Sequence, residues 1–197
     1  MSIALVLTLS RILLGPIFLV VYLYSQNLGI SLTLFPYILL LLAGISELSD
    51  AFDGALARKQ NKVTYLGKLL DPMADSIFRL SALLAFTQGV IQLPLLLVCV
   101  FFYRDTIIST LRTLCALRGI ALAARLSGKI KAVIQGIVVF FILILLIPYS
   151  LGYLDVKLLR AISFYSVLVT AIYTLFSGTE YIIANRKYIK KAVGLSA

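Results

Sequence analysis

The sequence predicts an all-α, polytopic integral membrane protein with six transmembrane helices, and three observations predict it. Of 197 residues 61% are hydrophobic and only 13% are charged, with a mean hydropathy of +1.06; soluble domains carry about a quarter of their residues as charges. The apolar residues gather into six runs, each near the roughly 20 residues that a helix needs to cross a bilayer core. Polar residues and helix breakers cluster between the runs.

The first run, 5–24, has no charged segment before it, contains Arg11 and is followed by no small-residue cleavage site. It is expected to be retained as a helix and not removed as a signal peptide. Ser25 to Gly29 ends it. The second run, 33–49, leads into a basic joint from Arg58 to Lys68, and the third, 69–89, stops at Gln88-Gly89. The fourth, 93–117, is followed by a joint from Arg118 to Lys131; the fifth, 130–149, is separated from the sixth, 160–182, by Pro148 to Lys157. A basic tail begins at Asn185. Residues 1–197 are thus expected to form a single membrane domain.

Orientation follows from charge. Segments 25–32 and 88–94 carry none, whereas 58–68, 118–131 and 185–191 are rich in Lys and Arg, and cytoplasmic loops hold the basic excess. Both termini are expected in the cytoplasm, with the protein in the cytoplasmic (inner) cell membrane. Of 18 basic residues only Lys157 and Arg160 fall near an outer loop. The net charge of +10 therefore reads as membrane orientation; a nucleic-acid partner would need a soluble basic face with interleaved aromatics. The absence of histidine excludes imidazole as base, nucleophile or metal ligand. Cys99 and Cys115 lie in apolar surroundings without a C-x-x-C pattern and read as small core residues.

Four of the eight acidic residues form two tight pairs, Asp50 with Asp53 and Asp71 with Asp75. Spacings of i, i+3 and i, i+4 place each pair on one helix face. Ionisable groups in spanning helices are costly and mark functional sites, and a short joint makes the second and third helices antiparallel neighbours. Four carboxylates then converge at one depth. Such a cluster needs counter-charge, and oxygen-only ligands suit a hard ion, Mg²⁺ or Mn²⁺. Two ions clamped by shared carboxylates are a recurring means of displacement at phosphorus. Gly54 and Gly67 remove bulk where a diphosphate approaches, and Arg58 supplies a guanidinium fork. The competing reading is of solvated helix ends paired with Arg58, Lys59, Lys62 and Lys68.

Taken together, Asp50-x-x-Asp53-Gly54-x-x-Ala57-Arg58, eight residues, then Gly67-x-x-x-Asp71-x-x-x-Asp75 resembles the signature of the CDP-alcohol phosphatidyltransferase family at every fixed position and spacing. The resemblance implies a six-helix membrane transferase that displaces CMP from a CDP-linked lipid, the acceptor hydroxyl attacking the β-phosphorus. It implies metal binding by Asp50, Asp53, Asp71 and Asp75, with Asp75 also the general base. Asp50, Gly54, Arg58, Thr64 and Gly67 fall where the family holds the CDP-lipid. It also implies a homodimer.

The fourth run carries Arg104, Asp105, Arg112 and Arg118, and the fifth opens with Lys129 and Lys131. Arg104 and Arg112, two turns apart, together with Lys129, form a candidate site for an acceptor that bears a phosphate. The alternative is that these cations snorkel to the interface or meet anionic headgroups. Arg104-Asp105-x-Ile107-Ile108-Ser109-x-Leu111-Arg112, Gly128-Lys129-x-Lys131-x-x-x-Gln135 and Leu7-Thr8-x-x-Arg11 are similar to segments of bacterial phosphatidylglycerolphosphate synthases. This narrower resemblance implies CDP-diacylglycerol and sn-glycerol 3-phosphate as substrates. It departs at Ala4-Leu5, where Pro-Asn is usual, and at Asp105, where Glu is common. Arg79, one turn beyond Asp75, is expected to pair with Glu47 or Asp75.

Two other readings stay open. The same chemistry can serve inositol phosphate or phosphatidylglycerol, although the latter's single diester charge needs fewer cations. An ion-coupled transporter would also place carboxylates in the membrane, but near the midplane and commonly with an inverted repeat; here the acids sit toward one face.

Overall fold

The computed structural model describes the backbone of residues 3–60, 65–120, 122–123 and 125–193, and the side chains of 10–49, 74, 76–120, 122–123 and 125–192. Six α-helices and no strand occur among the described residues: α1 Ile3–Leu23, α2 Phe35–Gln60, α3 Tyr65–Ala85, α4 Leu95–Leu117, α5 Leu126–Ser150 and α6 Val156–Val193. Two of them, α5 and α6, contain stretches long and apolar enough to cross a membrane, Leu126–Ser150 and Val156–Ala192. Shorter apolar helical stretches cover Ser10–Leu23, Phe35–Ser49 and Ser76–Ala85. Large apolar side chains face outward throughout, with Leu96 81% and Leu117 80% exposed. A surface of that kind suits lipid and not water.

Helix limits differ from the apolar limits in two places. The 58–68 joint is mostly helical, since α2 runs on to Gln60 and α3 begins at Tyr65; Ala55 to Gln60 are good helix formers with no breaker among them. The sixth helix continues past 182 to Val193, because Arg186, Lys187, Lys190 and Lys191 also favour helix and no Gly or Pro intervenes between Gly178 and Gly194. At 38 residues and about 1.5 Å per residue, α6 is nearly twice as long as a bilayer core is thick. Charge marks where a helix leaves the membrane, not where it ends.

The chain divides into two compact units. Unit 1 comprises residues 1–93 and 139–163; unit 2 comprises 94–138 and 164–197. In unit 1, α1 packs on α3 and α2. An aromatic cluster forms its centre: Phe18 meets Phe78 edge-on at 5.5 Å and Phe86 at 6.4 Å, and Tyr22 meets Phe86 at 5.7 Å and Phe35 at 5.4 Å. Each such pair is worth about 0.5–1.5 kcal/mol beyond burial. Tyr22 donates to the Gln88 carbonyl at 3.3 Å, and Arg160 Nε to the Val90 carbonyl at 2.8 Å, which ties the start of α6 to the α3–α4 turn.

Close approach of α1 to α3 depends on Gly15. A Cβ there would stand 3.0 Å from Ser81 Oγ and 3.2 Å from Ile77 Cγ2. Overpacking of this kind costs about 1–3 kcal/mol, so Gly15→Leu is expected to lower the thermal unfolding midpoint in detergent. An unchanged midpoint would contradict this packing.

Candidate functional site

One candidate region is built on the α2–α3 hairpin of unit 1. Arg79 Nη2 donates to Glu47 Oε1 at 3.4 Å. Glu47 lies 13 residues before Gln60, where α2 ends, and Arg79 lies 14 residues after Tyr65, where α3 begins. Contact between residues so nearly equidistant from the joint makes α2 and α3 antiparallel with matched levels. By the same measure Asp53 and Asp71 lie 7 and 6 residues from those helix ends, and Asp50 and Asp75 each lie 10. The backbone therefore carries the two pairs at the same level of the hairpin. The side chains of Asp50, Asp53, Gly54, Arg58, Gly67, Asp71 and Asp75 lie outside the described residues, as does Thr64 altogether.

Of the two partners expected for Arg79, Glu47 is observed, and the Asp75 side chain lies outside the described residues. Among the described residues no group of three or more His, Cys, Asp or Glu stands ready to hold a metal. Glu47, Asp105, Asp155 and Glu180 are each engaged elsewhere.

Unit 2 supplies a polar cluster where α4, α5 and α6 meet. Asp105 stands between two cations: its Oδ1 accepts from Arg104 Nη1 at 3.0 Å, and Lys131 Nζ donates to both carboxylate oxygens at 2.8 Å. All three side chains are nearly buried, at 13%, 11% and 4% exposure for Arg104, Asp105 and Lys131. Lys131 Nζ also lies 6.0 Å from the Phe101 ring centre. Arg104 Nη2 donates to Ser177 Oγ on α6 at 3.0 Å. Two turns further along α4, Arg112 sits over the Tyr181 ring at 6.0 Å, at the outer limit of cation–π attraction. Arg125 pairs with Glu180 at 2.6 Å, and Ser127 donates to the same carboxylate, so the start of α5 is held to α6.

This arrangement favours an anion. Asp105 accepts from both Arg104 and Lys131, each nearly buried, and Arg112 has no carboxylate partner among the described residues. Arg104 Nε, Gln135 Nε2 and Tyr181 Oη are buried with no hydrogen-bond partner there; orphaned polar atoms cost about 1–3 kcal/mol each. The Arg104 guanidinium has further N–H groups beyond the two engaged.

Of the three acceptor candidates, Arg104 and Arg112 face α6 in this cluster, whereas Lys129 is exposed with no side-chain partner among the described residues. Lys131 is the lysine drawn into it. Gly128, Lys131 and Gln135 recur at helical spacing and share a face that Lys129 does not. Sequence reasoning also passed over Ser177, Gly178 and Glu180. Their signal was present: Ser177-Gly178-Thr179-Glu180 is a polar, small-residue interruption in an apolar run.

Removing the shared carboxylate tests the cluster. Breaking a buried pair by deleting one partner costs about 3–5 kcal/mol, so Asp105→Asn is expected to lower the unfolding midpoint in detergent markedly. Asp105→Asn/Lys131→Gln, which restores the original net charge, is expected to recover part of the loss. Equal midpoints for the single variant and the parent would show that Asp105 holds nothing.

Comparisons with known proteins identify relatives of this chain. Residues 1–178 match the family model described as CDP-alcohol phosphatidyltransferase. A Bacillus subtilis protein named CDP-diacylglycerol–glycerol-3-phosphate 3-phosphatidyltransferase is 33% identical over 193 residues, covering 93% of this chain and 95% of its own length. A Rickettsia felis protein of the same name is 29% identical, covering 92% and 94%. A Streptomyces coelicolor protein named cardiolipin synthase (CMP-forming) is 44% identical over 69 residues, 35% of this chain and 32% of its own.

Proposed function

We propose that this chain, which belongs to the CDP-alcohol phosphatidyltransferase family, transfers the phosphatidyl group of CDP-diacylglycerol to sn-glycerol 3-phosphate, forming phosphatidylglycerolphosphate and releasing CMP. The chain is an enzyme of that family, and it moves a phosphatidyl group from CDP-diacylglycerol to an alcohol. The observation that carries the choice of acceptor is the nearly buried Arg104, held by Asp105 and Ser177 with its Nε unpartnered among the described residues, and Arg112 on the same helix. Near-full-length similarity to relatives named for glycerol 3-phosphate supports it.

On this reading the acceptor phosphate is held by Arg104 and Arg112, with Lys131, in place of the expected Lys129, keeping Asp105 and through it Arg104 in place. The CDP-lipid lies against Asp50, Gly54, Arg58, Thr64 and Gly67. The four hairpin aspartates would hold Mg²⁺ or Mn²⁺, as two ions; the donor set fits, being all oxygen and carried at one level on two antiparallel helices. Held by these aspartates, such an ion would supply positive charge to offset that developing at phosphorus. Asp75 takes the proton of the acceptor hydroxyl. The hydroxyl oxygen forms a bond to the β-phosphorus, the bond from that phosphorus to the CMP oxygen breaks, and the electron pair leaves with CMP.

The same reading gives six membrane crossings, both termini in the cytoplasm, an active site at the cytoplasmic face of the inner membrane, and a homodimer. Phosphatidylglycerol as acceptor is the second reading, supported by the shorter similarity to the Streptomyces protein. Inositol phosphate is a third. CMP release by purified protein with CDP-diacylglycerol and Mg²⁺ or Mn²⁺, adding each acceptor in turn, separates them. Release with glycerol 3-phosphate alone is expected; release with another acceptor and not with this one overturns the choice.

A further inference from the structure

We propose that Gly178 and Gly128 are positioning residues for Arg104, their missing side chains forming the slot that aims its guanidinium and so sets the affinity for the acceptor's phosphate. The inference rests on the reading that Arg104 holds that phosphate. A Cβ at Gly178 would lie 3.0 Å from Arg104 Cγ and 3.9 Å from its Nε, and one at Gly128 would lie 3.4 Å from Nη2. Non-bonded carbons settle at about 3.5–4.0 Å, so alanine at 178 displaces the Arg104 stem by about half an ångström or more.

The atom struck decides the consequence. Cγ is close to the backbone, so it can retreat only by turning the whole side chain, whereas a clash at the guanidinium would be relieved by small motions of its tip. The tip is already pinned, Nη1 by Asp105 and Nη2 by Ser177, each at 3.0 Å. Gly178 adds a third fixed point on the stem, and two of the three lie on consecutive residues of α6. A glycine inside a helix costs about 1 kcal/mol against alanine, so α6 sacrifices local stability at this position. Gly44 in α2 provides the contrast: a Cβ there meets nothing within 4 Å.

Small residues also let helices approach for packing alone, and the two roles make different predictions. A packing role alters stability and both substrates alike; a positioning role alters one substrate and acts through Arg104. Initial rates of CMP release by the purified full-length protein in detergent, varying each substrate at saturation of the other, distinguish them. Gly178→Ala is expected to raise KM for glycerol 3-phosphate by about tenfold to a hundredfold, as loss of one hydrogen bond to a charged group does, with kcat and KM for CDP-diacylglycerol within about twofold. Gly44→Ala is expected to match the parent. In an Arg104→Gln background Gly178→Ala is expected to add nothing, since the group it acts through is gone.

An unchanged KM, an equal loss on both substrates, or a further loss in the Arg104→Gln background would each overturn the proposal. Should Gly178→Ala not fold, Gly128→Leu, which intrudes beside Nη2, carries the same expectation and the same contradiction. A parent protein that releases CMP with another acceptor but not with glycerol 3-phosphate overturns the underlying reading and this inference with it; an active parent with indifferent glycine variants overturns this inference alone.

Discussion

Asp75→Asn is expected to lower CMP release by at least about a thousandfold at saturating substrates. A positioned general base contributes about 10²–10⁴-fold, and Asp75 is proposed to share in holding the metal as well, so both contributions fall together. Asparagine keeps the shape and removes the charge and the basicity. The protein should remain folded, because the hairpin that carries Asp75 is held by other contacts, among them Glu47 with Arg79 and the Phe18–Phe78 edge contact between α1 and α3. Steady-state rates beside thermal unfolding in detergent make the test. A folded variant within tenfold of the parent would remove Asp75 from both roles.

Arg104→Gln is expected to have the second largest effect, a loss of about a hundredfold in kcat/KM for glycerol 3-phosphate with little change for CDP-diacylglycerol. A hydrogen bond to a charged group is worth about 1.5–3 kcal/mol, and 1.4 kcal/mol is a factor of ten in binding. Glutamine retains a polar tip but neither the charge nor the fork. Arg104→Lys should recover little, since a point charge does not reproduce the guanidinium's planar geometry. Acceptor titrations of the three proteins check this. Full recovery by lysine would mean that charge alone suffices at this position.

These expectations draw on sequence and structure in different proportions. Helix number and order were legible because apolar runs of membrane length leave little freedom, and α4 matches its run to within two residues at Leu95–Leu117. Helix ends were less so. Hydropathy reports where a chain leaves an apolar medium, whereas helix termination depends on breakers and caps, and neither Ala55 to Gln60 nor Arg186 to Lys191 contains one. The aspartate pairs were singled out by spacing alone; the Glu47–Arg79 contact supplies the antiparallel register of the two helices that carry them, and their side chains lie outside the described residues.

The unit 2 cluster was legible only in part. Arg104 and Arg112 stood out because charge in an apolar helix is costly. Lys131 did not stand out from Lys129, since in sequence both are cations at the start of α5, and only helical phase separates the exposed one from the one buried on Asp105. Ser177 and Gly178 carry no charge, and their part depends on α6 lying against α4, a tertiary fact that no local pattern states. Glycine is the extreme case: its contribution at 178 is the space it leaves for Arg104 Cγ.

The central claim is that the acceptor's own oxygen becomes bonded to the phosphorus of the phosphatidyl group. Glycerol 3-phosphate labelled with oxygen-18 at its C1 hydroxyl, incubated with CDP-diacylglycerol, divalent metal and the purified protein, tests it by mass spectrometry of both products. The account predicts phosphatidylglycerolphosphate that retains the label in its bridging phosphodiester and CMP that has none. Phosphatidic acid with unlabelled CMP, or CMP formed at equal rate without acceptor, would mean that water is the nucleophile and would contradict it.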